Sequence, residues 1–119
     1  MKSTRIISVV AALVLAACTK STPPPPPAPF AIADIFPPGA GREMVLDTCG
    51  SCHPVVCCAR GQRTADRWDS IHNGHKDKLS GRPAADLVAM FTYLKTNFNE
   101  TKPEPQVPPE FLQQGCTPF

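Results

Sequence analysis

Cys49-Gly50-Ser51-Cys52-His53 decides how this chain is read. The five residues spell C-x-x-C-H, the attachment signature of a c-type haem. Two thiols at this spacing on one helical turn can each add to a vinyl group on the same edge of a porphyrin. His53 is then carried beneath the ring, where its imidazole can bind the iron. Two other chemistries share part of the pattern: a C-x-x-C redox pair and half of a zinc site. The surroundings of the motif separate them.

At 119 residues the chain holds one small domain at most. Residues 1–17 read as an export signal: Lys2 and Arg5 are basic, and the apolar run 6–17 is interrupted only by Ser8. That run is too short to cross a bilayer stably. Leu15-Ala16-Ala17-Cys18 resembles a bacterial lipobox, which makes Cys18 the lipid-modified first residue of the mature chain. Thr19 follows it instead of an aspartate, so nothing argues for retention at the inner membrane, and the outer membrane is the expected anchor. Acyl chains hold such a protein to a membrane face while the polypeptide stays in the oxidising periplasm. Removing the signal takes away Lys2 and Arg5 and no acid, so twelve basic residues become ten against ten acidic ones. That balance gives no reason to expect nucleic acid or an anionic membrane surface as a partner.

Composition divides the rest. Residues 18–39 are a proline-rich tether, with five consecutive prolines from Pro23 to Pro27 and others at Pro29, Pro37 and Pro38. Proline fixes φ and lacks an N–H, so the nineteen residues 20–38 are expected to be extended, reaching about 60 Å at full stretch. Residues 40–99 carry the domain. Residues 100–119 form a second proline-rich segment, containing Pro103, Pro105, Pro108, Pro109 and Pro118. Phe111, Leu112 and Phe119 suggest that this tail packs back onto the domain.

The domain reads as all-α. Met44, Val45 and Leu46 give apolar character to the stretch before the motif. Thr64 is placed to cap a helix with Asp66 in its first turn, and Trp68, Ile71, His72 and His75 follow at i, i+3, i+4 and i+7. Asn73-Gly74 is expected to end that helix, Gly74 taking a left-handed conformation. Leu87, Met90, Phe91 and Leu94 repeat the same spacing in a further helix, with Pro83 and Asp86 suited to its first turn.

Over residues 41–98 this order resembles the small single-haem bacterial members of the class I cytochromes c. The resemblance implies an all-α domain around one covalent haem c, attached at Cys49 and Cys52 and ligated by His53. It also implies that Gly41 opens a helix crossed closely by an aromatic residue of the last helix, here Tyr93. In this family the sixth ligand is commonly a methionine seven residues after the tryptophan, and His75 stands there. Bis-histidine ligation by His53 and His75 is therefore expected, with His72 and Met90 as alternatives. A thioether stabilises ferrous iron, so a second imidazole in its place should lower the potential. Two strong ligands also leave no position for a small substrate.

The function expected from this is electron transfer between a donor and an acceptor redox protein, by a membrane-tethered domain that is not an enzyme. No nucleophile–base pair, phosphate loop or paired carboxylates suggest otherwise. Two rivals remain. One is a haem enzyme or gas sensor with an open sixth position, and the other is a cytochrome subunit of a larger redox complex.

Beyond the motif and Cys18 lie Cys57, Cys58 and Cys116. In an oxidising compartment Cys116 is expected to bridge to Cys57 or Cys58, closing a loop of about 60 residues worth about 4 kcal/mol in the chain-entropy model. One cysteine is then left over, as a buried thiol, an intermolecular bridge or a redox partner. A zinc site from Cys57, Cys58, His72 and Cys116 is the competing use. Arg60, Arg63 and Arg67 are candidates for a solvated basic face or for bidentate pairs with haem propionates, and Trp68 is a further candidate propionate contact.

Overall fold

Four helices make the domain: α1 (Arg42–Gly50), α2 (Val56–Ala59), α3 (Ala65–His75) and α4 (Ala84–Asn97). The structure, a computed structural model, describes residues 23–112 and 115–116. The expected export signal and Cys18 lie outside the described residues. Among those described there is no strand, only an isolated bridge between Arg63 and Asn99. No helix among them is long and apolar enough to cross a membrane.

The fold is set by α4, which packs against both α1 and α3. Its apolar stripe is the expected one: Leu87, Met90, Phe91 and Leu94 are all buried, and Tyr93 joins them. Against α1 the approach is backbone-close. Gly41 precedes α1 at φ 91°, and a Cβ there would lie 2.8 Å from the Ala89 carbonyl oxygen and 3.0 Å from the Tyr93 Cβ. Only a residue without a side chain fits this conformation and this crossing together.

α3 begins as its sequence implies, with the Thr64 hydroxyl accepting a hydrogen bond from the Arg67 amide at 3.2 Å. It does not end there. Gly74 is helical, not left-handed, and α3 runs on to His75. Glycine tolerates helical dihedrals at a cost of about 1 kcal/mol relative to alanine, and here the following turn holds the helix on, the Leu79 amide donating to the His75 carbonyl at 2.9 Å. Trp68 is buried with its ring edge toward Phe91 at 6.4 Å, and its indole N–H donates to the Phe98 carbonyl at 3.1 Å. One side chain thus joins α3 to the end of α4.

Packing starts before residue 40. Pro23 to Pro29 are exposed, but Phe36 is 2% exposed and meets Phe98 edge-on at 5.2 Å. Arg42 donates to the carbonyls of Phe36 and Ala33 at 2.8 and 2.7 Å, and the Tyr93 hydroxyl donates to that of Pro37 at 2.6 Å. The last part of the proline-rich stretch is therefore fastened over the α1–α4 crossing.

The C-terminal segment is fastened too. Cys57 is bonded to Cys116, one of the two pairings left open by the cysteine count. Arg60 pairs with Glu104 at 3.1 Å, Gln62 donates to the Pro103 carbonyl at 2.9 Å, and Phe111 meets Phe30 at 4.9 Å.

Candidate functional site

The C-x-x-C-H stretch sits where α1 stops. Thr48 and Val45 point inward, and Ser51 turns the chain by donating to the Thr48 carbonyl from its amide at 3.3 Å and its hydroxyl at 2.7 Å. Cys49 is left half-buried, Cys52 exposed and His53 half-buried. Pro54 follows, its carbonyl 3.5 Å from His53 Nδ1, and the chain then reverses into α2.

These residues open onto a cavity of about 220 Å³ bounded by all four helices. Cys49, Cys52 and His53 line it from one side, and His75 lines it from α3. Ile71, Leu79, Phe91 and Leu94 supply apolar wall, together with Met90, which is 1% exposed and serves the core as well. Arg63 and Lys78 add positive charge.

His75 Nδ1 lies 2.7 Å from the Ile71 carbonyl oxygen. A carbonyl only accepts, so Nδ1 carries the proton and the neutral ring's lone pair sits on Nε2. That is the tautomer an axial ligand needs, already fixed by a bond inside the helix. The extension of α3 past Gly74 places the ring one turn beyond Ile71. His72 does not line the cavity. Its ring stacks on Phe91 at 4.6 Å with planes 12° apart, and burial, helped by the Lys76 charge, holds its pKa below the ordinary value.

Of the candidate propionate contacts, Trp68 donates its indole N–H to the Phe98 carbonyl. Arg60 is turned toward Glu104. Arg63 donates to the Arg60 carbonyl at 2.6 Å, has its guanidinium 4.9 Å from the Trp68 ring centre and lines the cavity.

The cysteines hold the feature that sequence spacing did not reveal. Cys58 is buried in α2 and lines the same cavity as Cys49. The Cys58 side chain holds the Cys49 thiol below the usual thiol range against the opposing effect of its burial, with Arg82 assisting. The influence of Cys49, then burial, pushes the Cys58 thiol up. Eight residues and a chain reversal at Pro54 separate the two, and no helical or strand periodicity announces such a pair. Thr48 was likewise missed. It is 3% exposed, lines the cavity, and its Oγ1 has no hydrogen-bond partner.

The donor set can be tested against the groups it might hold. A zinc site from Cys57, Cys58, His72 and Cys116 does not fit, because Cys57 and Cys116 are consumed in a disulfide and offer no thiolate. Among the described residues no three His, Cys, Asp or Glu side chains converge as a metal cage. A porphyrin asks for something else: it brings its own equatorial nitrogens and needs two thiols at one rim, axial imidazoles and an apolar wall. Cys49, Cys52, His53 and His75 around one apolar cavity fit that requirement, and the unpartnered Thr48 hydroxyl marks a buried polar position that protein groups leave unsatisfied.

Compared with protein-family models, curated proteins and solved structures, the chain matches none.

Proposed function

We propose that this chain is a single-haem c-type electron-transfer domain, tethered to a bacterial membrane through a lipid on Cys18 and exposed to the periplasm. Cys49 and Cys52 would hold the haem covalently, and His53 and His75 would ligate its iron. The observation that carries the reading is that both thiols and both imidazoles line one apolar cavity. When bound, the haem supplies a one-electron iron couple.

The rest follows from what the residues do. The Ile71 carbonyl holds His75 in one tautomer and orientation and raises the basicity of Nε2, which favours the ferric state. Ile71, Leu79, Met90, Phe91 and Leu94 exclude water from the centre. Arg63, which lines the cavity, would be the arginine to meet a propionate. Two imidazole ligands from the chain would leave no open site on the iron, which favours electron transfer over catalysis.

The experiment is optical and paramagnetic-resonance spectroscopy of the purified holoprotein. The expected ferric signature is low-spin bis-imidazole, lost in His75→Ala and retained in His72→Ala. A methionine charge-transfer band that disappears on Met90→Leu would replace His75 with Met90, and a high-spin native spectrum would favour the enzyme or gas-sensor reading.

A further inference from the structure

Thr48 stands immediately before the attachment motif, 3% exposed and in the cavity wall. Among the described residues, Thr48 Oγ1 and Gln62 Oε1 are the buried side-chain atoms with no hydrogen-bond partner, and Gln62 does not line the cavity. A buried hydroxyl left this way forfeits the bonds it had in water, so such groups are normally paired. A helical threonine has a ready remedy, a bond from its hydroxyl back to the carbonyl four residues earlier. Thr96 in α4 takes it, donating to the Thr92 carbonyl at 2.8 Å. Thr48 does not, although Met44 stands four residues before it. Its neighbours are engaged elsewhere. Ser51 donates twice to the Thr48 carbonyl, pinning the backbone that carries the hydroxyl, and Arg63 donates to the Arg60 carbonyl.

We propose that the Thr48 hydroxyl donates a hydrogen bond to the group that fills the cavity, and that this bond raises the group's affinity for an electron. The ligand must then present an acceptor atom near the end of α1, which a wholly apolar ligand lacks. That the ligand is a haem rests on the function proposed above. The sign follows from the dipole. An O–H donor turns its positive end toward the ligand, and reduction adds negative charge there. In an apolar cavity that attraction is weakly screened, so the donor favours the ferrous state. Thr48 thus opposes the Ile71–His75 bond, which favours the ferric one. It is a tuning residue, not a ligand to the iron.

The test is a spectroelectrochemical titration of the purified holoprotein and its variants. Thr48→Val keeps the side-chain shape and removes the hydroxyl, Thr48→Ser keeps the hydroxyl and removes the methyl, and Thr96→Val removes a hydroxyl already paired in the helix. Thr48→Val is expected to lower the potential, by up to about tenfold in the ferrous-to-ferric ratio at fixed applied potential, which is about 59 mV for one electron. Thr48→Ser and Thr96→Val should titrate with the native protein. An unchanged or raised potential in Thr48→Val, or an equal fall in Thr48→Ser, overturns the proposal. If Thr48→Val does not fold, Thr48→Ala is read against Thr48→Ser in its place. A native chain that takes no haem overturns the function proposed above and this bond with it, whereas attached haem whose potential ignores the hydroxyl overturns this bond alone.

Discussion

A Cβ added to Gly41 would stand 2.8 Å from the carbonyl oxygen of Ala89, closer than a real side chain approaches backbone. Gly41→Ala therefore meets two penalties, this overlap and the left-handed φ, and is expected to destabilise the fold by about 2–4 kcal/mol. Gly81→Ala is the control: nothing lies within 4 Å and its φ is not positive, so it should stay within about 0.5 kcal/mol of wild type. Denaturant unfolding of both variants checks the pair.

Removing the Cys57–Cys116 bridge by Cys116→Ser should cost about 4 kcal/mol, since it reopens a loop spanning 59 residues of sequence separation. The surface pair Arg60–Glu104 cannot replace it, exposed ion pairs contributing about 0–1 kcal/mol. Limited proteolysis should then cut first in the segment after residue 100, where native protein resists. Unchanged cutting there would mean the bridge does not hold the tail.

Trp68→Phe keeps most of the buried ring but removes the donor to the Phe98 carbonyl, leaving that oxygen unsatisfied. A loss of about 1–3 kcal/mol is expected, read from denaturant unfolding. An unchanged midpoint would mean that the bond to Phe98 contributes nothing to stability.

Burial pushes the Tyr93 hydroxyl above the ordinary tyrosine value, with the neighbouring Arg42 charge opposing it. The folded chain thus holds this proton more tightly than the unfolded one. Its contribution is complete below the ordinary value near 10 and is lost as pH rises through the folded value. A phenolate also has no proton to donate to Pro37. Tyr93→Phe should lose about 1 kcal/mol at neutral pH and show a shallower alkaline decline, read from unfolding midpoints across a pH series.

Local signals were legible because local rules generate them. The Thr64 cap, the Leu87-Met90-Phe91-Leu94 stripe and the apolar inward face before Cys49 each follow from neighbours within two turns. Gly74 misled for the same reason: a residue that permits a helix end does not compel one, and the turn through Leu79 carried α3 onward to His75. The meeting of Cys49 and Cys58 at one cavity, the choice of Cys57 over Cys58 for Cys116, and the engagement of Trp68 by Phe98 all depend on how chain reversals bring distant segments together. Nothing in the spacing of those residues encodes it.

The clasp of Arg42 and Tyr93 on the carbonyls of Ala33, Phe36 and Pro37 shortens the leash. The nineteen residues 20–38 were expected to form one extended spacer, but the nine from Phe30 to Pro38 pack with the domain. That takes about 30 Å from the reach of a fully extended spacer. On the proposed tethered electron-transfer reading, a partner would have to meet the domain within that smaller radius.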